Sequence, residues 1–183
     1  MIKHDFELLN DGEFSLLLQE SGIVSYNDAC RFIRDIRYDR ISDPKDISLV
    51  FHERQGTCST KHAFLKRVAE EQGVLDVELM IGVFKMGPNS LPELASIFED
   101  YTFDYIPEAH VYLKIKDETL DFTLKNSSDF VPFLIQEQQA SIEYVLNEKV
   151  RYHKNFINHW NKTNLTNDEV WELREKCIQQ LSS

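Results

Sequence analysis

GTCSTKHAFLKRVAEEQG, residues 56–73, is the stretch from which the rest of the chain is read. Ala63, Phe64 and Val68 recur at helical spacing, and Gly73 stands where a helix of about four turns would stop. Cys58 therefore falls on the first turn of a predicted helix. A thiol with a pKa near ~8.5 is mostly protonated at neutral pH, so a reactive cysteine needs a local positive potential. The exposed amides of a helix N-terminus are one source of it. Gly56 lets the chain turn sharply into the helix, and the Cys58 amide would point toward an oxyanion formed on the thiol's target. Gln55 is a further oxyanion candidate through its side-chain amide, set against its plainer reading as a solvated loop residue.

A thiolate nucleophile needs a proton carrier beside it and a group to orient that carrier. AHVYLKIKDETLDFTLK, residues 109–125, alternates strictly and predicts a hairpin. Val111, Leu113 and Ile115 share one face. His110, Tyr112 and Lys114 share the other, and after a KDE turn Thr119, Asp121 and Thr123 alternate against Leu120, Phe122 and Leu124. With the turn centred on Asp117 and Glu118, Lys114 would oppose Asp121, on the same face as His110. In a flat ladder Asp121 would then lie roughly 13 Å along from His110, so the hairpin must twist or bulge to bring them together.

Outward from these two segments the pattern is mixed. Ser25 caps a predicted helix over YNDACRFIRDIRYD, with Cys30 near its apolar stripe, and ISLVFHERQ (47–55) reads as an extended or irregular lead-in. VLDVELMIGVFKM (74–86) reads as a strand, Pro92 to Phe98 as a short helix, and IEYVL (142–146) as a further strand. EKVRYHKNFINHW (148–160) and NDEVWELREKCIQQL (167–181) read as helices, the latter capped by Thr166 with Glu169 as its box partner. The class is α+β in one domain, residues 1–183, with a core over about 47–125 and a helical appendage over about 148–183.

Composition sets the outer bounds. Hydrophobic residues make up 42% of the 183 residues, and Gly and Pro number only 6 and 5, which favours a folded chain. The net charge of −11 and the lack of a basic run disfavour nucleic acid and anionic membranes as partners. The charged N-terminal MIKHDFELLNDGEF has no signal-peptide core, so the expected location is cytoplasmic. Cys30, Cys58 and Cys177 are too few and too widely spaced for a disulfide framework, and read as free thiols.

Cys58 and His62, four apart, could hold zinc together with His52 or His110, but no second cysteine pair supports this. No metal and no cofactor is expected, His62 reading as a solvated helix residue. His4, His153 and His159 read as surface residues, and Tyr152, Phe156 and Trp160 as core packing. The acidic, aromatic run LPELASIFEDYTFDYIPE (91–108) fits equally a cleft wall and a packed loop.

GTCSTKHAFLKRVAEEQGV, then EAHVYLKI, then TLDFT, resemble in order and approximate spacing the Cys, His and Asp motifs of the transglutaminase-like superfamily, over residues 50–125. The resemblance implies a papain-like or transglutaminase-like core, with the nucleophile helix on an antiparallel sheet. It implies Cys58 as nucleophile, His110 as acid/base and Asp121 as orienter. Two features depart from the family. Its usual tryptophans are replaced near those places by Tyr112 and Thr119, and the interval from His110 to Asp121 is short. The implied activity is a cysteine peptidase or amidase, a hydrolase acting on a peptide, protein or small amide by acyl transfer through a thioester, or a transglutaminase-like acyltransferase using an amine in place of water. A catalytically degenerate module that binds a partner protein is the other expectation.

Overall fold

The computed structural model describes residues 5–9, 12–125 and 129–181. Its element order is α1 (Glu13–Glu20), α2 (Tyr26–Asp35), β1 (Arg37–Tyr38), α3 (Leu49–His52), β2 (Gln55–Gly56), α4 (Cys58–Glu71), β3 (Val77–Met86), α5 (Ala95–Phe98), β4 (Ile106–Ile115), β5 (Glu118–Leu120), β6 (Leu134–Gln139), α6 (Ile142–Asn147), α7 (Lys149–Trp160) and α8 (Asn167–Leu181). Short 3-10 turns precede α5 and β6. The fold is α+β, with an antiparallel sheet in the order β5-β4-β3-β6 and a small parallel pair, β1-β2. No helix of the described residues is long and apolar enough to cross a membrane.

The chain divides into two compact units. The first takes the described residues within Met1–Ile81, Val111–Ser127 and Gln139–Leu146; the second takes those within Gly82–His110, Ser128–Gln138 and Asn147–Ser183.

Unit one is built around α4. Apolar residues of α1, α2 and α4 (Leu18, Tyr26, Ile33, Phe64, Leu65 and Val68) are all removed from solvent with Leu79 and Ile81. Every residue of α4 from Cys58 to Leu65 is buried, so the first half of this helix lacks the exposed polar face of an ordinary surface helix, and charged residues reach solvent only from Lys66 onward. Its ends are tied down. The Thr57 N–H donates to Thr60 Oγ1 (3.0 Å) at the start, and Gly73 turns the chain out at φ 72°. The Glu71 carboxylate accepts the N–H groups of Phe14 (3.0 Å) and Ser15 (2.8 Å), filling orphan donors at the start of α1. Ser25 caps α2 by accepting from Asp28 N–H (3.2 Å).

Unit two gathers Met86, Leu94, Ile106, Ala109, Ile157, Val170, Leu173 and Cys177 into its core. The Thr166–Glu169 box forms, with Glu169 Oε2 accepting from Thr166 N–H at 2.7 Å. On α7 the fully buried face carries His153 and Ile157, while Tyr152, Phe156 and Trp160 are half-buried, so the packing expected of those three is partial.

Three local expectations are corrected. IEYVL is not a strand but α6: the Ser141 hydroxyl accepts from Tyr144 N–H (3.1 Å), and this cap outweighs the β-branched content. The lead-in at 47–55 contains α3, started where Asp46 Oδ1 accepts from Ser48 N–H (3.1 Å). The hairpin pairs Leu113 with Leu120, Lys114 with Thr119 and Ile115 with Glu118, so Lys116 and Asp117 form the turn and Lys114 does not oppose Asp121. Asp121 lies beyond the last residue of β5, outside the paired ladder.

Candidate active site

A helix whose first turns are buried all round and carry Ser59, Thr60, Lys61 and His62 must find partners for their polar atoms, because a buried polar group without a hydrogen bond is costly. Lys61 and His62, both 0% exposed, find them in the segment that follows β5. Lys61 Nζ donates to the carbonyls of Thr123 (2.9 Å) and Ile36 (2.8 Å), with that of Arg34 at 3.4 Å. His62 Nε2 accepts the N–H of Phe122 (2.8 Å), while Nδ1 lies 2.8 Å from the Cys58 carbonyl.

The protonation of His62 follows from these partners. A carbonyl only accepts, so Nδ1 carries the hydrogen; an N–H only donates, so Nε2 is bare. The ring is neutral, and its 3.6 Å approach to Asp121 Oδ1 is not an ion pair. With both nitrogens taken by backbone, His62 cannot carry a catalytic proton or ligate a metal without losing these bonds. The expectation of a solvated His62 is thereby corrected.

The same contacts explain why β5 ends at Leu120. The Phe122 N–H and the Thr123 C=O leave the ladder for side chains of α4, and Asp121 Oδ1 accepts the Thr123 N–H (2.9 Å) in a tight local turn. Asp121, with its side chain 13% exposed, is thus pinned to the helix that begins at Cys58. Cys58 itself is 2% exposed. Burial pushes the Lys61 ammonium down to about 8, opposed by Asp121, Asp35 and Cys58, which favour its charge.

Gly56 serves close approach. A Cβ there would meet Lys61 Cγ and Thr60 Oγ1, each at 3.0 Å, whereas the left-handed backbone lies two residues earlier at Arg54 (φ 55°). Gly56→Ala is expected to cost about 1–3 kcal/mol by overpacking the Lys61 stem. Urea denaturation reads this, and an unchanged midpoint would refute the packing argument.

Gln55, the side-chain oxyanion candidate, is bound within its own loop. Its Nε2 donates to the Arg40 carbonyl (2.6 Å) and lies 3.4 Å from Glu53 Oε2, so its amide protons are committed within the loop. His110 is the last residue of its segment of unit two. It is half-buried, its ring edge-on to Phe130 (centroids 4.9 Å) and to Phe84 (6.0 Å). Asp121 and Cys58 both belong to unit one. The other two thiols are buried: burial raises Cys30 well above its usual value and carries Cys177 up to about 12.

Unit two holds a second polar cluster that the sequence reading missed. Glu108 accepts from Arg174 Nε (2.8 Å) and NH2 (2.6 Å) in a buried two-pronged pair, and His153 Nε2 donates to the Pro107 carbonyl at 2.7 Å. His153 is buried, not a surface residue. The run 91–108 packs Phe98, Tyr101 and Phe103 ring against ring and lines an open hollow of about 390 Å³ in this unit. Among the described residues no three of His, Cys, Asp and Glu gather at metal-binding distance.

Comparison of the chain with family models, with curated proteins and with solved structures finds no match.

Proposed function

We propose that this chain is a thiol-dependent acyl-transfer enzyme, a transglutaminase-like cysteine peptidase or amidase acting with Cys58, His110 and Asp121. The observation that supports it most is the placement of Cys58 at the start of α4 together with the pinning of Asp121 to that helix through Lys61 and His62. The Cys58 thiolate attacks the amide carbonyl carbon, forming an S–C bond. His110 gives its proton to the leaving nitrogen as the C–N bond breaks. Water, losing a proton to His110, then cleaves the thioester to the acid and returns the thiol. An amine in place of water would make the same site a transferase. Helix amides at the start of α4 favour the thiolate.

A second reading, a catalytically degenerate module that binds a partner protein, is favoured by the burial of Cys58. Iodoacetamide labelling across pH separates the two, and the raised Cys30 and Cys177 thiols make Cys58 the one expected to react. The enzyme reading expects alkylation of Cys58 well below pH ~8, the ordinary thiol range, and its loss in His110→Ala. Equal labelling of the two proteins refutes the triad, and no labelling below that range favours the binding module.

A further inference from the structure

We propose that Lys61 is a positioning residue for the Cys58 site, its buried ammonium holding the Asp121 segment against α4 and favouring the thiolate form of Cys58. This deepens the reading above and rests on it.

A lysine with no exposed surface is rare unless its charge is compensated. Here the compensation comes from carbonyl dipoles and carboxylates. The Arg34 and Ile36 carbonyls belong to the end of α2, whose dipole is negative there, and the Thr123 carbonyl follows Asp121. The titratable groups that act on it are Asp121 beyond β5, Asp35 at the end of α2 and Cys58 on α4 itself, with Lys125 acting on Asp35.

A cap for α2 accounts for two of the three acceptors. It does not account for the third, or for the position of the residue. Lys61 follows Cys58 by three residues, and that spacing puts two side chains on one helix face. An ammonium one turn from a thiol lowers the cost of ionising it, and the effect is mutual: the thiolate in turn keeps Lys61 charged. The close pass of the Lys61 stem over Gly56 fixes its path, so the ammonium cannot swing to solvent without unpacking that contact.

The test is the pH profile of Cys58 alkylation in wild type, Lys61→Met and Lys61→Arg. In Lys61→Met the midpoint should rise by about one pH unit, which is about tenfold slower labelling at neutral pH, and Lys61→Arg should restore most of the loss by returning the charge. A Lys61→Met profile that overlays wild type overturns the proposal while leaving the nucleophile intact. A wild type that does not label below pH ~8 instead defeats the enzyme reading.

Should Lys61→Met fail to fold, the coupling is read from the other side by ¹³Cε NMR of lysines in wild type and Cys58→Ser. The Lys61 midpoint, near 8 in wild type, should fall in Cys58→Ser, since the thiolate that favours its charge is gone. An unchanged midpoint overturns the proposal.

Discussion

Arg174→Ala is expected to cost unit two about 3–5 kcal/mol, a large share of the stability of an ordinary domain. The reason is what it leaves behind. Glu108 is 4% exposed on β4, and Arg174 of α8 neutralises it through two hydrogen bonds. Truncation strands a buried carboxylate whose remaining cationic neighbours are His153, at 3.7 Å, and Lys149. Both tryptophans, Trp160 and Trp171, lie in this unit, so urea denaturation followed by their fluorescence reports on it directly. Pairing Arg174→Met with Glu108→Gln should recover part of the loss, because the buried charge is removed with its partner. A midpoint unchanged in Arg174→Ala would show that the pair is not what holds α8.

The same cluster sets a pH dependence of known sign. Burial alone would raise Glu108, but Arg174 and His153 outweigh it and hold the carboxyl at about 2. A carboxylate so depressed stabilises the fold above its ordinary value of 4.5, and that contribution is lost as pH falls toward 2. The loss amounts to about 3 kcal/mol. His153 acts in the same direction earlier. Burial lowers it against the pull of Glu108 and the Pro107 carbonyl, so below its ordinary 6.5 the unfolded chain takes up a proton that the folded one resists. Acidification should therefore weaken unit two from about pH 6.5 downward, and Glu108→Gln should flatten the part below 4.5.

His62→Leu is expected to cost unit one about 2–4 kcal/mol, through an orphaned Phe122 N–H and a lost donor to the Cys58 carbonyl in a closely packed interior. The side chain is fully buried, so water cannot readily replace the lost bond. His62→Gln, with one acceptor and a donor, should recover part of it. Hydrogen exchange at the Phe122 amide is the specific readout. Protection unchanged in His62→Leu would show that this amide is held by something other than His62.

Much of the helical content was legible in the chain. Ser25, Gly73 and the Thr166–Glu169 box are local punctuation, and α2, α4 and α8 begin or end where those residues act. The strand over Val77–Met86 and the short helix after Pro92 follow equally from local content. IEYVL misled because β-branched content was weighed above the Ser141 cap that starts α6. β6 gave no signal, since LIQEQQ is a polar, mostly exposed strand without alternation.

The site divides along the same line. Cys58 at a helix start is a matter of neighbours in sequence, and so is the hairpin that carries His110 and precedes Asp121. His62 and Lys61 were not readable in that way. A histidine and a lysine on a helix are ordinarily solvated, and what reverses this is that α4 is enclosed by α1, α2 and the segment after β5. Burial then obliges each polar atom to find a backbone partner, and those partners lie as many as 62 residues away. Local chemistry, caps, glycines and alternation, was thus determined by the sequence alone. Which polar side chains became internal ties was decided only by tertiary enclosure, because desolvation is a property of the assembled fold and not of any segment.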